Sequence, residues 1–132
     1  IQAAVLNVKL KYYKKDLALR QEVAQKYYSK LNIHNSKFVL PFVEEGRTSA
    51  WAQYSIRVKN RDEIQEKLKV AGIPTAVHYP RPLHLQECFE YLGYKQGDFP
   101  ISEVVSQEIM SLPMNPYVTD EEIEYIVGIF NE

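Results

Sequence analysis

Between Ile1 and Leu40 the chain contains neither proline nor glycine; the first of each are Pro41 and Gly46. These two residues interrupt helices most effectively, so the stretch is free to coil without a break. Leu6, Leu10, Tyr13, Leu17, Ala24, Tyr28 and Leu31 recur at spacings of three, four or seven, the mark of a helical stripe. The pattern predicts one long helix over residues 1–31. At 1.5 Å per residue it would run to about 45 Å, more than so small a domain can cover. Val5, Val8 and Tyr12 widen the stripe near its start, and we expect something outside these residues to pack there.

The remainder is punctuated. Phe38, Val39 and Leu40 read as a short strand. Residues 48–58, with Trp51, Tyr54, Ile56 and Val58, read as a longer one. Asn60 is placed to cap a following helix, with Glu63 completing a capping-box pattern and Ile64 and Leu68 on its buried face. Gly72 suits the left-handed turn that ends such a helix. Residues 73–79 read as a returning strand, which gives a strand–helix–strand unit. Pro80, Pro82, Gly93, Gly97 and Pro100 then mark a loop with a short helical piece near residues 85–92. Val104, Val105 and Ile109 predict a short helix stopped at Pro113. Thr119 and Glu122 form a capping box ahead of a last helix whose buried face is Ile123, Ile126, Val127 and Phe130. The expected class is α/β or α+β: a linking helix over residues 1–31 and a small αβ domain over residues 38–132, with helices against a small sheet.

At 132 residues with 45% hydrophobic and 25% charged content, the chain suits one soluble globular core. Its net charge of −1 offers no overall field for nucleic acid or an anionic membrane. The first thirty residues are basic, with seven Lys/Arg against two Asp/Glu, but apolar residues run through them as they do not in a solvated arm. The single cysteine, Cys88, excludes an internal disulfide and fits a reducing, cytoplasmic setting. No apolar run approaches the roughly 20 residues of a membrane span, and no signal peptide is visible. The chain opens on Ile1 inside a helical pattern, which we read as a piece cut from a longer protein.

The densest polar constellation is His78-Tyr79-Pro80-Arg81-Pro82-Leu83-His84-Leu85-Gln86. It falls at a strand's end and in the loop after it, where side chains are not committed to a core. A histidine there can shuttle a proton or hydrogen-bond a phosphate, and an arginine suits a diphosphate. The competing reading is that Pro80 and Pro82 stiffen a turn with its histidines exposed. His78, His84 and Cys88 do not have zinc-ligand spacing, and His34 is remote, so no metal is expected. Cys88 beside Phe89 and Leu92 reads as a half-buried apolar residue rather than a nucleophile paired with His84. The five glycines form no phosphate-binding loop. The Tyr12-Tyr13 and Tyr27-Tyr28 pairs read as core or interface rather than base-stacking platforms.

Several segments resemble, in order, the DegT/DnrJ/EryC1/StrS sugar aminotransferase family. Residues 1–6 followed by Lys9-Leu10 resemble the helix that opens the family's small domain, and Arg20, Tyr27 and Leu31 its later pattern. Trp51-x-x-Tyr54-x-Ile56 resembles the central strand. Leu68-x-x-x-Gly72-Ile73 leads into the His78 to Gln86 run, the most specific match. Pro100 with Glu103, then Ser111-Leu112-Pro113-Met114-x-Pro116, resembles the closing segment. The resemblance implies the small C-terminal domain of a fold-type-I pyridoxal-phosphate enzyme. Such enzymes move an amino group, usually from glutamate, to a nucleotide-linked keto-sugar, and act as dimers with sites at the subunit interface. It also implies that the Schiff-base lysine and the cofactor's other contacts belong to a large domain, so no lysine here is expected to be catalytic. What carries over is His78, with Tyr79 and His84, as residues bordering the nucleotide-sugar. The rival expectation is a stand-alone regulatory or protein-interaction domain without catalysis.

Overall fold

The computed structural model describes residues 1–32 and 38–130; His34 lies outside them. The expected helix over residues 1–31 is two helices rather than one, α1 (Gln2–Leu10) and α2 (Tyr13–Asn32). At the junction Lys11 N–H donates to Val8 O and Tyr12 N–H to Lys9 O, three residues back, before the regular ladder resumes with Asp16 N–H on Tyr12 O. A tightened turn of this kind needs no proline or glycine, so periodicity alone does not mark it. α1 buries none of its residues; α2 buries Val23, Ala24, Tyr27 and Leu31. The inward ring is therefore Tyr27, not the neighbouring Tyr28 of the expected stripe, which is half exposed.

The sheet has three antiparallel strands in the order β1 (Phe38–Val39), β2 (Tyr54–Val58), β3 (Ile109–Leu112). Tyr54 pairs with Leu112 and Ile56 with Met110, so these four buried side chains share one face. α2 lies against it, with the Tyr27 ring stacked on Tyr54 at 5.0 Å. α5 (Asp120–Ile129) adds Ile123, Ile126 and Val127, and α3 (Arg61–Val70) adds Leu68. Lys26–Asp120 at 2.6 Å and Lys30–Glu124 at 2.7 Å join α2 to α5 along an exposed edge. Ser55 and Ser111 alternate to the opposite face, where their hydroxyls meet at 2.9 Å.

Four local expectations differ from what is found. The strand expected over residues 48–58 begins only at Tyr54. Trp51 has a left-handed φ of 46°, and the carbonyls of Ser49 and Trp51 accept from Gln21 and Arg20 of α2, so this backbone is spent on side chains. Asn60 does not cap α3 through its side chain; it adopts φ 58°, a region asparagine tolerates. Residues 73–79 make one bridge, Ala76 to Ser111, rather than a strand. Pro74, at the next hydrogen-bonding position before that bridge, has no N–H to donate, which stops a ladder from growing on that side. Finally, α4 (Pro100–Glu108) stops before Ile109, and residues 109–112 become β3. The end of α3 is as expected: Gly72 has φ 76°, with Ile73 N–H on Leu68 O at 2.8 Å and Gly72 N–H on Lys69 O at 3.0 Å. The Thr119–Glu122 capping box is also present, with both hydrogen bonds made.

Candidate substrate-binding loop

The bridge at Ala76 fixes where the polar run begins. Ser111 N–H donates to Ala76 O at 2.7 Å and Ala76 N–H to Ser111 O at 3.3 Å, which ties the chain to β3 two residues before His78. Beyond the bridge the backbone leaves the sheet. His78 and Tyr79, joined by a cis peptide, are both exposed, with their rings 6.1 Å apart and near perpendicular. Pro82 leads into two short 3-10 turns, Leu83–Leu85 and Glu87–Leu92. Gln86 donates to Arg81 O at 3.2 Å, and Arg81 lies 3.8 Å from Glu87 in an open surface pair.

His84 behaves differently from His78. Its side chain is only 8% exposed, and its Nε2 lies 3.0 Å from Glu103 Oε1 of α4, whose own side chain is 14% exposed. The same oxygen accepts from Gly97 N–H at 2.8 Å and Phe99 N–H at 3.4 Å. These backbone donors, Gly97 first, together with the His84 ring, hold the Glu103 carboxyl below the usual carboxylate range. Phe99 packs at a tilt on His84 at 4.8 Å and Tyr94 edge-on to Phe99 at 5.0 Å, so a small aromatic cluster adjoins the pair.

The structure thus brings His78 and Tyr79 together at the surface and turns His84 onto Glu103. Cys88 is exposed rather than half-buried, and Phe89 is the neighbour turned inward. Glu103 as the partner of His84 was not evident from the residues. The available signal was Phe99-Pro100-x-x-Glu103, a proline at a helix start with an acid within reach of its free N–H groups. Among the described residues no three His, Cys, Asp or Glu side chains are grouped to hold a metal. No described helix is long and apolar enough to cross a membrane.

Pyridoxal phosphate, the cofactor implied by the resemblance, calls for an enclosed lysine amine and an acid facing the ring nitrogen. The residues described here do not fit it. Every described lysine is exposed except Lys26 and Lys30, which are half-buried and paired with Asp120 and Glu124. The two least exposed carboxylates among the ion pairs, Glu103 and Glu108, are committed to His84 and Arg57.

Residues 1–131 match the DegT/DnrJ/EryC1/StrS aminotransferase family. Among curated relatives, the UDP-2-acetamido-2-deoxy-3-oxo-D-glucuronate aminotransferase of Pseudomonas aeruginosa is 39% identical over 126 residues, covering 96% of this chain and 34% of the relative. A "pleiotropic regulatory protein" of Geobacillus stearothermophilus is 41% identical over 128 residues, again covering 96% and 34%. In three dimensions the chain is similar to S. venezuelae DesV, solved in complex with a ketimine intermediate, with a TM-score of 0.91 and 27% identity over 98% of this chain and 34% of DesV. The chain therefore spans about a third of the length of the relatives it matches, and it belongs to the DegT/DnrJ/EryC1/StrS aminotransferase family.

Proposed function

We propose that these residues are the C-terminal domain of an enzyme that transfers an amino group from glutamate to a nucleotide-linked keto-sugar, and that His78, Tyr79 and His84 border the nucleotide-sugar. The observation that carries this reading is the exposed His78–Tyr79 pair, presented where the backbone leaves the sheet after the Ala76–Ser111 bridge. An imidazole held there can donate to a phosphate or sugar oxygen, and a neighbouring phenol ring can cover a sugar or base face. His84 belongs to the same border, its ring fixed by Glu103. Pyridoxal phosphate would be held by the portion of the relatives' length that these residues do not span, and the enzyme would work as a homodimer. The similarity to a UDP-sugar aminotransferase supports this assignment.

The test is amino transfer by the full-length protein. With 15N-labelled glutamate and a panel of nucleotide-linked keto-sugars, mass spectrometry should find the label on the sugar product. No labelled product from any of them would contradict the proposal. The name of the G. stearothermophilus relative favours a second reading, a regulatory domain without chemistry. That reading requires a folded protein that fails the labelling test.

A further inference from the structure

We propose that Glu103 is a positioning residue for the nucleotide-sugar border: one carboxylate oxygen clasps the two halves of the loop that His78 and Tyr79 open. The inference deepens the function proposed above and rests on it. Residues 80–99 contain no strand and only the two short 3-10 turns, whose backbone bonds span three residues and do not tie the first half of the loop to the second. Three donors from two separate places converge instead on Glu103 Oε1. His84 Nε2 comes from the first half at 3.0 Å, and the Gly97 and Phe99 amides come from the second at 2.8 and 3.4 Å.

The backbone that carries the acceptor is itself anchored. Glu103 lies in the first turn of α4, Pro100 fixes the start of that helix, and Ser106 Oγ donates to Glu103 O at 2.8 Å. Phe99 packs at a tilt against His84, and the His84 and Glu103 side chains are only 8% and 14% exposed. Hydrogen bonds to an ionised acceptor are stronger than neutral ones and fix direction as well as distance. Glu103 touches neither His78 nor Tyr79 among the described contacts. Its influence runs through His84, six residues after His78, and through the shape of the loop between them.

Two measurements test this. In the full-length protein, Glu103→Ala should speed amide exchange at Gly97 and Phe99 by roughly ten-fold or more, the equivalent of one charge-assisted bond. Unchanged exchange would overturn the clasp, whatever the reaction proves to be. In the full-length protein, Glu103→Ala and His84→Ala should each raise KM for the nucleotide-sugar by about ten-fold with kcat nearly kept. The double variant should be no worse than either single one, because both remove the same link. The glutamate half-reaction should be unaffected. Multiplying effects, or equal damage to both half-reactions, would overturn the positioning role. A wild-type protein without amino transfer would overturn the functional half along with the function proposed above, while the exchange result would still decide the clasp.

Discussion

Tyr27 and Tyr54 stack in the core, and burial pushes both phenols above their ordinary pKa, yet their hydroxyls differ in one respect. Tyr27 donates to Pro113 O at 2.9 Å, whereas the Tyr54 hydroxyl, equally shut off from solvent, has no hydrogen-bond partner among the described residues. Removing one partner of a buried bond strands the other, while removing an unpartnered hydroxyl strands nothing. Tyr27→Phe should therefore cost about 1–2 kcal/mol in urea unfolding, and Tyr54→Phe should be neutral or stabilising. Equal losses would contradict this. Glu103 gives a pH signature. Its carboxyl is held below the ordinary glutamate value of 4.5, so its contribution is complete above that value and is lost as pH falls through the lower folded one. Amide exchange at Gly97 and Phe99, corrected for its intrinsic pH dependence, should show protection falling away below 4.5 in the wild type. No such fall should be seen in Glu103→Gln. At this scale the sequence marked His78, Tyr79 and His84 as a group but did not reveal that His84 has an acidic partner. The partner sits nineteen positions away, and only the folded loop brings them together.

Among the elements, those governed by local chemistry were legible. The Thr119 capping box, the Gly72 helix end and the buried Ile123–Ile126–Val127 face each depend on residues within a turn or two of one another. Those governed by distant partners were not. β3 has helix-compatible spacing and becomes a strand only because β2 lies beside it, and residues 73–79 make a single bridge, with Pro74 unable to donate the next bond before it. The division of the first helical stretch is not legible either, since a tightened turn leaves no residue signature. What was legible there is the excess of apolar surface: Val5, Leu6, Val8 and Leu10 are all more than half exposed on α1. Exposed apolar surface of this kind drives association. The 132-residue chain should self-associate in sedimentation experiments, and Leu6→Glu with Leu10→Glu should return it to a monomer while α2 and the sheet keep their circular dichroism. A clean wild-type monomer at high concentration would count against this account of α1.

For the molecule as a whole, the α/β class and the family were readable because the matching segments follow one another in order along nearly the entire chain. The arrangement suggests a division of labour. These residues offer a small sheet, a loop held at Glu103 and two exposed rings, and no lysine among the described residues is placed for an aldehyde cofactor. The function proposed above gives them the sugar side of the reaction and leaves the donor chemistry to the rest of the enzyme. The most direct test is His78→Ala in the full-length protein, with the two half-reactions measured separately. Losing one hydrogen bond to a charged oxygen costs about 1.5–3 kcal/mol, or roughly a 10- to 150-fold fall in kcat/KM for the nucleotide-sugar. The glutamate half-reaction and the cofactor spectrum should stay nearly intact. No change in either half-reaction would reduce His78 to a turn residue, and an equal loss in both would contradict the assignment of this domain to the sugar.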